Sequence, residues 1–170
     1  METNKKSLIF LVDDDDVYLD TLEHNLNKNA SGNFILKKYL TGEQCLEELH
    51  QNPDIVILDY QLNTKDKTAM NGIEILKRIK AQNREVQVIM LSGQDSLEVA
   101  VNCIKNGAYD YLIKNESAFV RAAQMIKNLV YNITLQRDAK KYENWNWIIA
   151  GGFLLIIIID IIYAINHFMK

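Results

Sequence analysis

The sequence predicts an α/β fold in which a parallel sheet is covered by helices on both faces. Short runs that are apolar throughout, as expected for strands buried on both faces, recur along the chain. Segments whose apolar residues recur at helical spacing lie between these runs. Because the two patterns alternate strictly, five of each, parallel strands joined by helical crossovers are favoured.

The first half of the chain supplies three predicted strands and two predicted helices. The run LIFLV at residues 8–12 is the first strand, and IVIL at 55–58 is a strand of the same buried type. Residues 34–40 are strand-like, and residues 42–49 are helical. The first helix, at 17–26, is expected to turn four apolar residues inward: Val17, Tyr18, Leu22 and Leu26.

The second half continues the alternation. Its predicted elements are a helix at 73–79, a strand at 86–91, a helix at 96–106, a strand at 109–113 and a long helix from 118 to 142. Gly107 follows the fourth helix at the position where helix ends favour glycine. Cys45 and Cys103 fall on predicted helices and are expected to be small core residues.

Composition narrows the class of function. The chain of 170 residues has 19 Lys and Arg against 22 Asp and Glu, a net charge of -3. That balance argues against nucleic-acid binding, which needs a basic face. The two cysteines are far apart and form no CxxC pair, so a disulfide scaffold is not expected.

Functional-looking side chains follow four of the predicted strands. Asp13 and Asp14 come directly after the first strand, Asp59 after the third, Ser92 after the fourth and Lys114 after the fifth. Parallel strands would deliver all of them to one edge of the sheet, where ligands bind in such folds. Three carboxylates together repel each other unless a cation shares them, and oxygen ligands alone favour Mg²⁺. An aspartate in such a site can act as a nucleophile toward a phosphoryl group.

A simpler interpretation exists for the neighbouring acids. Acidic residues after a strand are often only the N-caps of the following helix, and Asp15 and Asp16 fit that role. The joint placement of the other polar residues, all at strand ends, carries the functional signal.

Five segments, in this order, closely resemble the receiver domain of bacterial two-component response regulators: LIFLVDDDDVYLDTLEHNL, IVILDYQL, MNGIEILKRIK, VIMLSG and GAYDYLIK. The resemblance covers residues 8–129. It implies a flavodoxin-like, doubly wound, five-stranded parallel sheet, and a chain that accepts a phosphoryl group with Mg²⁺ bound.

The resemblance also implies roles for single residues. Asp59 matches the phospho-acceptor, and Asp14 matches the more direct metal ligand of the acidic pair. The other matches are Asp13 as second acid of the pair, the backbone carbonyl of Gln61 as a further metal ligand, Ser92 and Lys114 as partners of the phosphoryl group, and Ser92 with Tyr111 as the switch residues.

The family implies the partners as well. The phosphoryl donor is expected to be a histidine kinase or a phosphotransfer protein. The face formed by the fourth helix, fifth strand and fifth helix is expected to change its binding on phosphorylation, with a homodimer as one outcome. Autophosphatase activity is left open, whereas no dedicated output enzyme domain is expected.

Two segments depart from the family pattern. The link between Asp59 and the MNG segment is longer, through NTKDKT at residues 63–68. Asn115 stands where the family has a proline after the lysine, so a looser loop is expected there.

The last part of the sequence predicts a membrane anchor. Residues 148–165 contain one charged residue, Asp160, and about 20 such residues cross a bilayer. Basic residues precede this run, which by the positive-inside rule predicts a single-pass protein of the bacterial inner membrane with the receiver cytoplasmic and a short tail outside. The predicted division is a receiver at 1–130, an extended helix and linker at 131–146, and a transmembrane helix at 147–168.

Three other functions remain open at this point. The receiver could be a phosphate sink, or a degenerate membrane scaffold that no longer accepts phosphate. A haloacid-dehalogenase-like phosphatase would use Asp13 and Asp15 in a D-x-D-x-V pattern. That pattern leaves Asp59 unexplained, and no acidic pair follows Lys114 as that family requires.

Overall fold

The computed structural model describes residues 5–30, 32–62 and 69–168, apart from the side chains of residues 143–147, 150, 160 and 163–168. The strands are β1 (Ser7–Val12), β2 (Phe34–Tyr39), β3 (Ile55–Asp59), β4 (Gln87–Ser92) and β5 (Asp110–Ile113). The helices are α1 (Asp16–Asn29), α2 (Gly42–Glu47), α3 (Gly72–Gln82), α4 (Leu97–Lys105) and α5 (Ala118–Phe168). A 3₁₀ turn, Glu48–Gln51, follows α2.

The strands form one parallel sheet in the order β2-β1-β3-β4-β5, which confirms the predicted fold. The chain leaves β1 toward β2 on one side and returns to β3 on the other. Crossovers therefore diverge between β1 and β3, and this is where open α/β sheets bind ligands.

The three central strands are buried on both faces, because helices cover the sheet from each side. Phe10, Ile57 and Met90, one from each central strand, are fully buried. The edge strand β2 contains no fully buried residue. Both cysteines are free and buried, as the sequence predicted.

The predicted inward face of α1 is wrong at one position. Val17 is 75% exposed, whereas Leu19, Leu22 and Leu26 are buried. Asp15 caps the helix, and residue 17 then lies about 200° around the axis from residue 19 at roughly 100° per residue. Val17 therefore points away from the core.

The second helix is shorter than predicted. It ends at Glu47, and the 3₁₀ turn that follows stops at Asn52, which has a left-handed φ of 55°. Pro53 comes next and disfavours a helical conformation in the residue before it. The proline therefore ends the helical segment.

The predicted membrane anchor at 147–168 is wrong. Within the described residues, the structure contains no helix that combines the length and the apolar character needed to cross a bilayer. A span needs about 20 consecutive apolar residues. The single-pass inner-membrane location, with its inside and outside ends, falls with the anchor. The side chain of Asp160 lies outside the described part.

The chain divides into two compact units, Met1–Tyr131 and Asn132–Lys170. The first contains the sheet and its hydrophobic core. The second is the remainder of α5, where large apolar side chains such as Phe153 and Ile159 are more than 60% exposed.

Candidate functional site

Strand register places the predicted site residues at one edge of the sheet. Val12 pairs with Leu58, so Asp13 and Asp59 leave adjacent strands at the same level. Ser92 is the last residue of β4, and the backbone N–H of Lys114 donates to its carbonyl at 2.7 Å. The carboxyl edge of the sheet thus gathers all four residues because the strands are parallel and end together.

Three carboxylates meet at this edge. One oxygen from each of Asp13, Asp14 and Asp59 lies within 4.8 Å of the others. Asp13 and Asp59 are 1% and 3% exposed, and Asp14 is half-buried. Acids so close and so shielded from water repel each other strongly when all are ionised.

Lys114 lies between two of the carboxylates. Its Nζ is 2.6 Å from Asp13 Oδ2 and 2.9 Å from Asp59 Oδ1. The lysine side chain is itself only 19% exposed. One ammonium neutralises one of three potential negative charges, so the fully ionised cluster keeps an excess of two.

Burial and mutual repulsion change the acidity of this cluster. Burial, followed by the charge of Asp59, raises the pKa of Asp13 to about 6, against the opposing effect of Lys114. Burial likewise raises the pKa of Asp59, although Lys114 and a hydrogen bond from the Gln61 backbone N–H oppose it. Burial disfavours the Lys114 ammonium, but the two carboxylates outweigh it and raise its pKa.

The donor set fits a magnesium ion. Three carboxylates in a shared site are hard oxygen ligands, the kind Mg²⁺ prefers. Among the described residues, Asp13 Oδ2 is buried with no well-aligned hydrogen-bond donor, although it is ion-paired with Lys114. A divalent cation would satisfy that oxygen and the excess negative charge together.

Ser92 and Tyr111 converge on the loop after β4. Ser92 is fully buried, and its Oγ accepts a hydrogen bond from the backbone N–H of Gln94 at 3.1 Å. The Tyr111 hydroxyl donates to the backbone carbonyl of Gln94. Gln94 thus connects the two predicted switch residues, a link that the sequence did not reveal.

Tyr18 is another contact that the sequence pattern missed. Lys114 Nζ lies 4.5 Å from the centroid of the Tyr18 ring. The pattern had placed Tyr18 on an apolar face of α1 because an aromatic residue at helical spacing usually belongs to a core. Only the three-dimensional arrangement brings it over the lysine.

Gly72 lies directly against the backbone that carries Asp59. A Cβ at this position would lie 2.2 Å from the backbone carbonyl oxygen of Asp59 and 2.8 Å from Tyr60 Cα. Its N–H also donates to the Tyr60 carbonyl at 3.0 Å. The start of α3 therefore presses directly on the backbone that carries Asp59, which requires glycine.

Asp15 lies outside the carboxylate cluster. Its Oδ1 accepts hydrogen bonds from the backbone N–H groups of Val17 and Tyr18 at 3.0 and 3.1 Å. It is the N-cap of α1, as the simpler interpretation held. The phosphatase alternative, which needs Asp13 and Asp15 together, therefore loses its second carboxylate.

The two departures from the expected pattern have different outcomes. The longer link at 63–68 lies outside the described residues. Asn115 Oδ1 accepts hydrogen bonds from the backbone N–H of Ser117 at 3.1 Å and from its hydroxyl at 2.8 Å. Asn115 thus orders the turn that leads into α5.

A sequence model of the response regulator receiver domain matches residues 9–127. The chain belongs to this family. Receiver domains function in two-component signalling: histidine kinases or phosphotransfer proteins phosphorylate them on an aspartate, and they bind Mg²⁺ at an acidic pocket.

Curated relatives support the same assignment. The transcriptional regulatory protein ZraR of Escherichia coli K12 is 36% identical over 105 residues, which cover 61% of this chain and 22% of ZraR. YesN of Bacillus subtilis strain 168, a transcriptional regulatory protein, is 31% identical over 121 residues, 69% of this chain and 32% of YesN. The chain thus matches a third or less of these relatives.

Solved structures agree with the fold. The receiver domain of DrrB from Thermotoga maritima, activated with BeF₃, is 27% identical, with a TM-score of 0.64 over 75% of this chain and 99% of that one. The signal receiver domain of a LuxO repressor protein from Vibrio parahaemolyticus has a TM-score of 0.68 at 21% identity, over 79% of this chain and 98% of that one. The second likeness bears on the fold alone.

Proposed function

We propose that Asp59 accepts a phosphoryl group from a histidine kinase or a phosphotransfer protein, with Mg²⁺ held by Asp13, Asp14 and Asp59 and by the backbone carbonyl of Gln61. The observation that supports this most directly is the placement of Lys114, whose ammonium contacts both Asp13 and Asp59 inside a cluster of three carboxylates. A purely structural site would have little reason to keep so many buried charges together.

The chemistry follows from the local charges. One Asp59 oxygen forms a bond to phosphorus while the P–N bond of the donor phosphohistidine breaks and its imidazole leaves. Lys114 provides a positive charge within reach of the incoming phosphoryl oxygens, since it already lies 2.9 Å from Asp59 Oδ1. A bound magnesium ion would supply further neutralisation of negative charge on the transferring group.

Ser92 and Tyr111 carry the switch in this proposal. Phosphorylation draws the Ser92 hydroxyl toward the new phosphoryl group, which releases its hydrogen bond with the Gln94 N–H. The Gln94 carbonyl, which accepts a hydrogen bond from the Tyr111 hydroxyl, is then no longer held in a fixed position. Phosphorylation thus shifts the population from one arrangement of these residues to the other and leaves the fold unchanged.

The surface that reads this switch contains α4. Leu97, Val101 and Ile104 on α4 are 81%, 42% and 48% exposed, and Tyr109 beside β5 is 48% exposed. Exposed apolar groups in one region favour a protein partner or a second copy of the chain. Where the partner is a second copy of the chain, the proposal is that phosphorylation produces a homodimer.

The test is intact-mass measurement of the full chain after incubation with acetyl phosphate or phosphoramidate and Mg²⁺. The expected result is a gain of one phosphoryl group that disappears in Asp59→Asn. Asp15→Asn is the matched control, because asparagine is an equally good N-cap and Asp15 lies outside the cluster. A labelled Asp59→Asn protein, or labelling that fails in Asp15→Asn, contradicts the proposal.

A further inference from the structure

The Lys114 ammonium has an aromatic neighbour in addition to its two carboxylates. Tyr18, in the first turn of α1, presents its ring 4.5 Å from Lys114 Nζ, within the range of a cation–π contact. The ring of Phe119 lies 5.1 Å from the Tyr18 ring at an angle of 35°. Helices α1 and α5 thus contribute a pair of neighbouring aromatic rings, of which the Tyr18 ring contacts the lysine.

We propose that Tyr18 is a positioning residue for Lys114: the face of its ring, supported by Phe119, holds the ammonium against Asp59 and so sets the rate at which Asp59 is phosphorylated. This inference rests on the proposed function of Asp59.

The lysine needs such a contact because of its own flexibility. Lysine is a strongly hydrated point charge on a flexible four-carbon stem, so its position is weakly fixed by its own backbone. The Lys114 side chain is nevertheless held inward: it is only 19% exposed, and its Nζ contacts two carboxylates at 2.6 and 2.9 Å. An aromatic face attracts the cation while it excludes water, which favours the inward rotamer over a solvated one.

The ring, and not the hydroxyl, carries this role. The Tyr18 hydroxyl is buried and has no hydrogen-bond partner among the described residues. Burial, with the charges of Asp13 and Asp59, raises the Tyr18 pKa, so the phenol stays neutral and the ring keeps its ordinary quadrupole. Phenylalanine at this position would preserve the contact, whereas an aliphatic residue of similar bulk would remove it.

The arrangement also links the site to α5. Phe119 lies in the first turn of α5, directly after the Asn115 turn that follows Lys114. The Tyr18 ring therefore contacts both the ammonium and a residue in the first turn of α5.

The experiment compares full-length wild type with Tyr18→Phe and Tyr18→Leu. The phosphorylation rate is measured against phosphoramidate concentration at saturating Mg²⁺, and thermal shift on Mg²⁺ addition gives the metal affinity separately. Tyr18→Phe is expected within two-fold of wild type. Tyr18→Leu is expected to lower the maximal rate about five-fold, the size of a partly desolvated cation–π contact, with Mg²⁺ affinity unchanged.

The outcomes separate this inference from the function on which it rests. If wild type is not phosphorylated, the proposed function fails first. If wild type is phosphorylated and Tyr18→Leu matches it, or if Tyr18→Phe loses as much rate as Tyr18→Leu, the positioning role is overturned. Tyr18→Met replaces the leucine variant if the latter melts below the assay temperature. Lower Mg²⁺ affinity with an unchanged maximal rate would also overturn it.

Discussion

The interior of the sheet and its carboxyl edge are equally buried but are built from opposite chemistry. Ile57 is fully buried in the middle of β3, and Asp59, two residues later, is 3% exposed. Burying the isoleucine stabilises the fold by removing apolar surface from water. Burying the carboxylate costs free energy that Lys114 offsets only in part, as the raised pKa of Asp59 indicates.

The difference indicates how this chain separates stability from chemistry. The interior is stabilised by many apolar contacts, each of which contributes part of the total. The edge is not redundant, because the single ammonium of Lys114 contacts both buried carboxylates. Interior variants should therefore lower stability and leave the chemistry of the folded protein intact, while edge variants should alter the chemistry and, where they remove a buried charge, raise stability.

The largest expected effect on stability is in the interior. Ile57→Ala removes fully buried methyl and methylene groups and leaves a cavity, which lowers the free energy of unfolding by about 2–5 kcal/mol. Ile35→Ala is the matched control, because Ile35 is 46% exposed on the edge strand β2 and should cost well under half as much. Urea unfolding followed by near-ultraviolet circular dichroism gives both values. Similar losses in the two variants would show that burial in the interior of the sheet does not set the cost.

Asp13 should show the opposite behaviour at the edge. Its folded-state pKa of about 6 lies above the ordinary 3.8, so in the metal-free protein the folded state binds the proton more tightly than the unfolded state. The stability from this group is present at low pH and is lost as pH rises through about 6. Asp13→Asn removes that loss and should be more stable than wild type at neutral pH, by roughly 3 kcal/mol.

The check on Asp13 is the pH dependence of the difference in stability between the two proteins. The gap should narrow as pH falls below the Asp13 pKa of about 6. Mg²⁺ should reverse the order at neutral pH, since only wild type keeps the full set of ligands and ligand binding stabilises the folded state. A constant gap at all pH values would show that the Asp13 charge is not the cause.

Gly72 joins the two regions. Gly72→Ala places a methyl group against backbone atoms of Asp59 and Tyr60, which cannot rotate away, so it should cost about 2 kcal/mol. Gly93→Ala is the control, because a Cβ there meets nothing within 4 Å. The alanine at 72 should also slow phosphorylation, because it displaces the backbone of Asp59. An unchanged rate with lowered stability would show that the strain relaxes toward α3 instead.

Much of this arrangement could be predicted from sequence, for a physical reason. Parallel strands that end in polar residues must bring those residues to one edge, so the sequence alone predicts that Asp13, Asp59 and Lys114 lie together, as the structure shows. Apolar runs located the strands because central strands are buried on both faces.

The rest depends on information that periodicity does not contain. Periodicity alone turns Val17 toward the core, whereas the Asp15 cap sets the phase of α1 and turns it outward. Tyr18 was assigned to the core because spacing cannot show that a lysine from another element approaches its ring. The anchor at 147–168 was inferred from hydropathy alone, and the described helices do not support it.

The smallest expected effect concerns the cap of α3, which begins where the loop after Asp59 returns to the sheet. Asn71 Oδ1 accepts a hydrogen bond from the Glu74 N–H at 3.0 Å, and Glu74 Oε2 accepts one from the Asn71 N–H at 2.9 Å. Asn71→Ala should lower the free energy of unfolding by about 1 kcal/mol, whereas Asn71→Asp, which caps equally well, should not. Phosphorylation of Asp59 should stay within two-fold of wild type in both variants, since neither adds a group against its backbone. A larger loss of rate in the alanine variant alone would mean that the cap, through the neighbouring Gly72, positions Asp59 as well as α3, and the division between a stabilising interior and a reactive edge would then need a third part.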